Sequence, residues 1–267
     1  MKKYLALFKT KFLAGLQYRG AAFAGIITQI CWGFLEILLF KSFYTSKPEN
    51  FPMSFQAMSS YIWLQQAFIS LYMLWFWEND IFSDIKSGNV AYTLARPVSV
   101  YSMWFMQNLA SRTAKASLRA IPILFIGFLL PQPYGLSGPY SLVSFLLFIC
   151  SMILAVLVLV ALMMPLYFIA FYTLEPMGPR MVFQTLGDFL SGAIIPLPFL
   201  PNGFRQFVES LPFASVQNVP FRIYSGDLAG EKCIEAVVLQ VFWLVFLLII
   251  GKVLERCVQN KIIVQGG

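Results

Sequence analysis

The sequence contains no histidine. The commonest general base, the usual activator of a serine or cysteine nucleophile and the imidazole metal ligand are therefore all missing. Cys31, Cys150, Cys233 and Cys257 stand alone, without CxxC spacing, and read as buried free thiols rather than a zinc site. No GxxxxGK(S/T) segment occurs, so the chain has no P-loop for ATP. What is left for chemistry is a small set of charges. Glu36 and Asp188 lie in otherwise apolar stretches, where an ionisable group is a functional candidate by default. Glu36 sits near Lys41 and near the end of its stretch; it is either a contact for a transported molecule or gate, or a paired interfacial acid. Asp188, two turns into a stretch that begins at Met181, either lines a polar cavity or interface or makes a structural hydrogen bond. Arg112, Lys115 and Arg119, at i, i+3 and i+7, share one helix face. That face would suit phospholipid head groups or a partner protein, but reads best as the solvated start of a helix.

The elements that must position these charges follow from composition. Of the 267 residues, 59% are hydrophobic, 17% aromatic and 12% charged, and the mean hydropathy is +0.73. An ordinary soluble domain is roughly a quarter charged, so the chain reads as an all-α integral membrane protein, a single membrane domain over residues 1–267. Apolar stretches at Gly20–Phe40, Met58–Trp77, Tyr101–Leu130, Ser141–Tyr172, Met181–Leu200 and Ile234–Val253 predict six spans of about 20 residues or more. Trp63, Trp75 and Trp77 are expected in the aromatic belts of the second. Residues 1–19 carry Lys2, Lys3, Lys9, Lys11 and Arg19 with Leu5, Phe8, Phe12 and Leu16 at helical spacing. They predict an amphipathic helix on the cytoplasmic membrane surface. No cleaved signal peptide is expected, because no small-residue cleavage site follows a short apolar core.

Ser191–Gly226 departs from this pattern. It begins apolar, breaks at Pro196, Pro198 and Pro201, resumes, breaks again at Pro212 and Pro220, and ends at Ser225-Gly226. Proline removes a backbone donor and clashes with the preceding helical turn, and broken backbone at membrane depth needs protein or a water-lined cavity around it. A broken hairpin near one face is expected, with Asn202, Arg205 and Glu209 toward water. With six spans and a cytoplasmic N-terminus, only Lys41, Lys47, Arg205, Arg222 and Lys232 of the 19 cations fall outside. The net charge of +7 is thus orientation by cytoplasmic Lys and Arg, with no call for nucleic acid. Both termini are then cytoplasmic and the hairpin is outside.

Two motifs carry a resemblance. Gly88-Asn-Val-Ala-Tyr-Thr-Leu94-Ala-Arg96-Pro97 follows the second span. Gly192, Pro196, Pro201, Leu211-Pro212-Phe213, Pro220 and Tyr224-Ser-Gly226 precede the last. In this order the chain resembles the membrane subunit of an ABC-2 type (type V) ABC exporter of the small, permease-only branch. The resemblance implies an N-terminal surface helix, six transmembrane helices, a cytoplasmic coupling helix in residues 78–97 and an extracellular re-entrant hairpin in residues 191–226. It also implies a second permease, identical or paralogous, and two ATPase subunits that carry ATP and magnesium, in the cell inner (plasma) membrane; this chain itself would bind no cofactor. The ATPase-coupling residues would be Asp80, Ile81, Phe82, Asp84, Ile85 and Arg96, an apolar knob ringed by acids that plugs a groove on the ATPase. Pro196, Pro201, Asn202 and Pro212 would form the outer gate, and Glu36 and Asp188 would line the pathway. The competing readings are an ion-driven secondary transporter or channel, which would show repeated halves, and a lipid-modifying membrane enzyme, which would want a histidine or a metal site.

Overall fold

A computed structural model describes residues 2–46, 51–94, 98–173 and 176–259. Of the described residues 78% are helical and none is in a strand. The helices are α1 (Lys2–Gly15), α2 (Arg19–Ser46), α3 (Phe55–Tyr72), α4 (Asn79–Ser87), α5 (Val90–Leu94), α6 (Val100–Leu129), α7 (Leu142–Ile169), α8 (Met177–Leu190), α9 (Asn202–Glu209), α10 (Asn218–Ser225) and α11 (Glu231–Gln259), with a 3-10 turn at Leu197–Phe199. By length and composition, α2, α7 and α11 can cross a membrane. Little of α2 and α11 is buried, whereas more than half of α7 is.

The core is built around α3. Ser54 caps its start, accepting from the Ala57 N–H, and the helix packs against α2, α6, α7 and α10. Trp63 is fully buried, and its indole N–H donates to the Tyr134 carbonyl at 2.8 Å. Trp77 is buried too, so of the three tryptophans expected in aromatic belts only Trp75 is exposed. A buried indole needs an acceptor, and the turn after α6 supplies it. That turn is also held by the Ser60–Ser137 hydroxyl pair and by the Tyr224 hydroxyl on the Ser137 carbonyl.

The cationic face of α6 corrects the sequence expectation. Arg112 is fully buried and donates to the carbonyls of Leu71, Met73 and Phe76 at 3.2, 2.7 and 2.8 Å, with the Met163 sulfur beside it. A helix leaves its last four carbonyls without partners; here one guanidinium of α6 fills the Leu71 carbonyl in the last turn of α3 and two more in the segment that follows. Lys115 lies over the Phe76 ring, and Arg119 reaches the Ser70 hydroxyl and the Ala21 carbonyl. The face is turned into the protein because α3 ends there with acceptors to fill.

Helix α1 packs along α6 through Tyr4, Leu7, Phe8, Phe12 and Gly15, while Leu5 points outward. Phe8, Phe12 and Leu16 of the expected stripe are thus half-buried, and Leu5 alone departs from it. Gly15 is needed for the approach, since a Cβ there would lie 2.7 Å from the Ala114 Cβ.

A helix over Met181–Leu200 is not formed. α8 has 14 residues, about 21 Å of helix, which is short of a ~30 Å hydrocarbon core. The chain turns at Gly192, whose φ of 81° suits a residue without a Cβ. In the opposite sense, α7 runs unbroken through Pro165.

Candidate functional site

Glu36 from α2 and Asp188 from α8, 152 positions apart in sequence, line the same cavity. Gln65, Gln66, Ile69 and Tyr72 of α3, the following Met73 and Trp75, and Ser191, Ala193, Ile194 and Gln217 complete its wall of about 180 Å³. Gln66 is 2% exposed. Its Nε2 donates to Glu36 Oε2 at 3.2 Å, and its Oε1 is buried without a partner. Gln217 is 4% exposed with an unpartnered Nε2. Gln65 donates to the Ala193 carbonyl at 2.7 Å, which fixes the chain just after the Gly192 turn. Lys41 does not pair with Glu36; its ammonium lies over the Tyr134 ring. Arg180 turns away from Asp188 to Asn79 and to the rings of Trp77 and Phe82.

The connection from α3 to α6 carries α4. Its stop is the expected one: Gly88 at φ 78° donates its N–H to the Ile85 carbonyl, the left-handed cap that glycine tolerates best. Its apolar face differs from expectation. Ile81 and Phe82 are 2% and 8% exposed; Phe82 packs on Tyr167 and Trp77 under the Arg180 guanidinium. Burial of this face in the chain's own core removes the apolar knob as an outward plug. Asp80, Ser83 and Asp84 face outward, and Ile85 is half-buried. Arg96 lies outside the described residues. Where the chain resumes, the Ser99 N–H donates to the Tyr4 hydroxyl. Glu255 of α11 accepts from the Ser99 hydroxyl, the Tyr101 N–H at 2.9 Å and Lys252. A carboxylate at the first turn of α6 meets unpaired N–H groups and the positive end of the helix dipole.

In the 191–226 stretch, Pro196 leads the 3-10 turn and Pro201 precedes α9. Asn202 opens α9 and is exposed, whereas Pro196 and Pro212 are buried. Glu209 does not simply face water. Arg222 of α10 bridges Glu209 and Asp227; burial works against its charge, and the two carboxylates more than offset this and raise its pKa. Gln240 of α11, fully buried, ties the stretch down by donating to the Ser215 carbonyl while accepting from the Ser151 hydroxyl.

A family profile described as "ABC-2 family transporter protein" matches residues 30–260. The chain belongs to the ABC-2 transporter family. It is a membrane permease of that family, and a search of curated proteins returns no match. In this ABC-2 permease the matched region includes the cavity, α4 and the 191–226 stretch and leaves out all of α1 and the first part of α2. The structure brings together Glu36 and Asp188, two acids that the sequence singles out separately. It does not bring the α4 residues or the prolines into that cavity. Sequence reasoning missed Gln66 and Gln217, whose only signal is a pair of adjacent carboxamides (Gln65-Gln66 and Gln217-Asn218) in apolar surroundings, and Glu255, which looks like one charge in a basic tail.

Proposed function

We propose that this ABC-2 permease is the transmembrane subunit of an ATP-driven exporter in the plasma membrane, with both termini cytoplasmic. The chain crosses the bilayer six times: α2, α7 and α11 outright, α3 and α6 as a pair held by Arg112, and α8 together with the turn that follows it. The permease pairs with a second copy or a paralogue and with two ATPase subunits, which bind ATP and magnesium.

The ATPase docks at the 78–97 loop. The outward face of α4 offers Asp80 and Asp84 to a basic rim, and Ile81 and Phe82 anchor α4 in the core so that a push on it reaches α7 through Tyr167. Ile85 and Arg96 border that contact. Residues 191–226, with Pro196, Pro201, Asn202 and Pro212 at their bends, form the outer gate, and the Glu36–Asp188 cavity lies on the path. Helix α1 lies on the cytoplasmic surface against α6.

The observation that carries this reading is the family match over residues 30–260, joined to a sequence without a P-loop, which puts the ATP site on another chain. The test is affinity purification of the tagged chain from its native membrane in mild detergent. Recovery of a P-loop ATPase at equal stoichiometry supports the proposal; a chain that comes out alone or as a simple oligomer overturns it.

A further inference from the structure

We propose that the Glu36–Asp188 cavity binds the head of a protonated amine, so that the transported molecule is an amphipathic organic cation. This rests on the transport reading above and names its substrate class.

Three independent features of the wall point to a cation. Two carboxylates line one small space, and no lysine or arginine lines it with them. Among the described residues neither carboxylate is in an ion pair: the candidate partners along the chain, Lys41 and Arg180, are engaged elsewhere. A desolvated acid is costly unless a charge and hydrogen bonds compensate it. The third feature is Gln66. Its amide nitrogen is committed to Glu36, which leaves its buried oxygen as an acceptor without a donor. An ammonium group carries three donors and no acceptor, the number that Glu36, Asp188 and the Gln66 oxygen can take.

The wall also fits an organic cation better than a metal. Hard divalent ions take six or more oxygens from carboxylates, carbonyls and water, and no group of three or more His, Cys, Asp or Glu that could hold one occurs among the described residues. Ile69, Tyr72, Met73 and Trp75 supply apolar and aromatic surface instead, and an aromatic face attracts an alkylammonium. The volume of about 180 Å³ is below the ~300–1,000 Å³ of pockets that enclose drug-sized ligands. The cavity therefore takes the charged head and the first part of the body. The remainder leaves over Trp75 and Ile194, which are 45% and 62% exposed. The free Gln217 amide nitrogen can donate to a hydroxyl or carbonyl on that body.

The experiment uses the full chain in lipid nanodiscs and measures saturable binding of radiolabelled 3-phenylpropylamine, its neutral counterpart 3-phenylpropanol and calcium. The amine binds saturably and the alcohol does not. Glu36→Gln and Asp188→Asn each weaken amine binding at least tenfold, Gln66→Leu weakens it less, and Glu36→Asp, which keeps the charge, retains it. Thermal unfolding of each variant in the same discs separates loss of binding from loss of fold, and Glu36→Asp serves as the folded control if Glu36→Gln does not assemble. Equal binding of alcohol and amine, binding of calcium in place of the amine, or amine binding that survives both Glu36→Gln and Asp188→Asn overturns the proposal. Failure here with an ATPase still co-purifying sinks the substrate class alone; absence of the ATPase sinks the transport reading and leaves the binding result standing.

Discussion

Replacing Arg112 by methionine tests whether one buried guanidinium closes the end of α3. The substitution keeps an unbranched apolar stem of similar reach and removes every donor. In the native chain Arg112 serves three carbonyls at 2.7–3.2 Å, one in the last turn of α3 and two in the segment that follows. A hydrogen bond from a charged donor is worth about 1.5–3 kcal/mol, and a buried acceptor left empty costs about 1–3 kcal/mol. These are two views of one loss and do not add. Against the loss of up to three such bonds stands relief from burying the charge, so the net is about 3 kcal/mol. For a chain of this size that is a fall in melting temperature on the order of 10 °C. The assay is the heat-induced loss of the monodisperse peak in detergent, followed by native tryptophan fluorescence. Arg112→Lys brings one ammonium in place of a planar fork, fills fewer of the three carbonyls and falls between the two. An Arg112→Met protein that melts with the wild type, or above it, refutes the argument: the carbonyls would then have found water or other donors.

Gly251→Ala drives a Cβ into the Tyr101 ring; this overpacking of α11 against α6 costs about 1–3 kcal/mol and appears in the same melting assay. Glu255→Ala leaves the Tyr101 N–H and the Ser99 hydroxyl without their carboxylate, and hydrogen exchange at the start of α6 rises while that in the centre of α7 stays as it was. Asp80→Lys with Asp84→Lys reverses the outward face of α4 without touching its buried side; the amount of co-purifying ATPase falls at least several-fold at unchanged permease yield, and an unchanged amount excludes this face as the dock.

Some of this was legible in the residues. The stops at Gly88 and Gly226, both in the left-handed region, announce themselves because few other residues tolerate that backbone. The interruption of 191–226 was written in its prolines, and Glu36 and Asp188 stood out against an apolar background. What could not be read was direction. In a chain that is 59% hydrophobic, lipid-facing and core-facing sides are equally apolar, so periodicity has little contrast with which to say which side of α2 or α11 turns inward; in α4 the apolar face was legible, but not that the chain's own core covers it. Trp63 reads as a belt residue until the Tyr134 carbonyl is seen above it. Arg112 reads as solvated because its acceptors lie in the last turn of α3 and the segment after it, 36–41 residues earlier in the chain. The short α8 was missed because Ala193, Ile194 and Ile195 extend its hydrophobicity past the point where Gly192 has already ended the helix.

The knot at Glu255 also sets a timetable. Helix α6 begins with a local cap, the Ser99 hydroxyl on the Ser102 N–H, and can form as soon as it is made. Its second partner lies 154 residues downstream. At a synthesis rate of about 5–20 residues per second, roughly 8–30 s pass before that carboxylate exists, and only then can the α6 start, already beside Tyr4 of α1, be fastened to the last helix. A ribosome that stops short of α11 leaves a chain whose beginning and middle have met but whose clasp is still unmade.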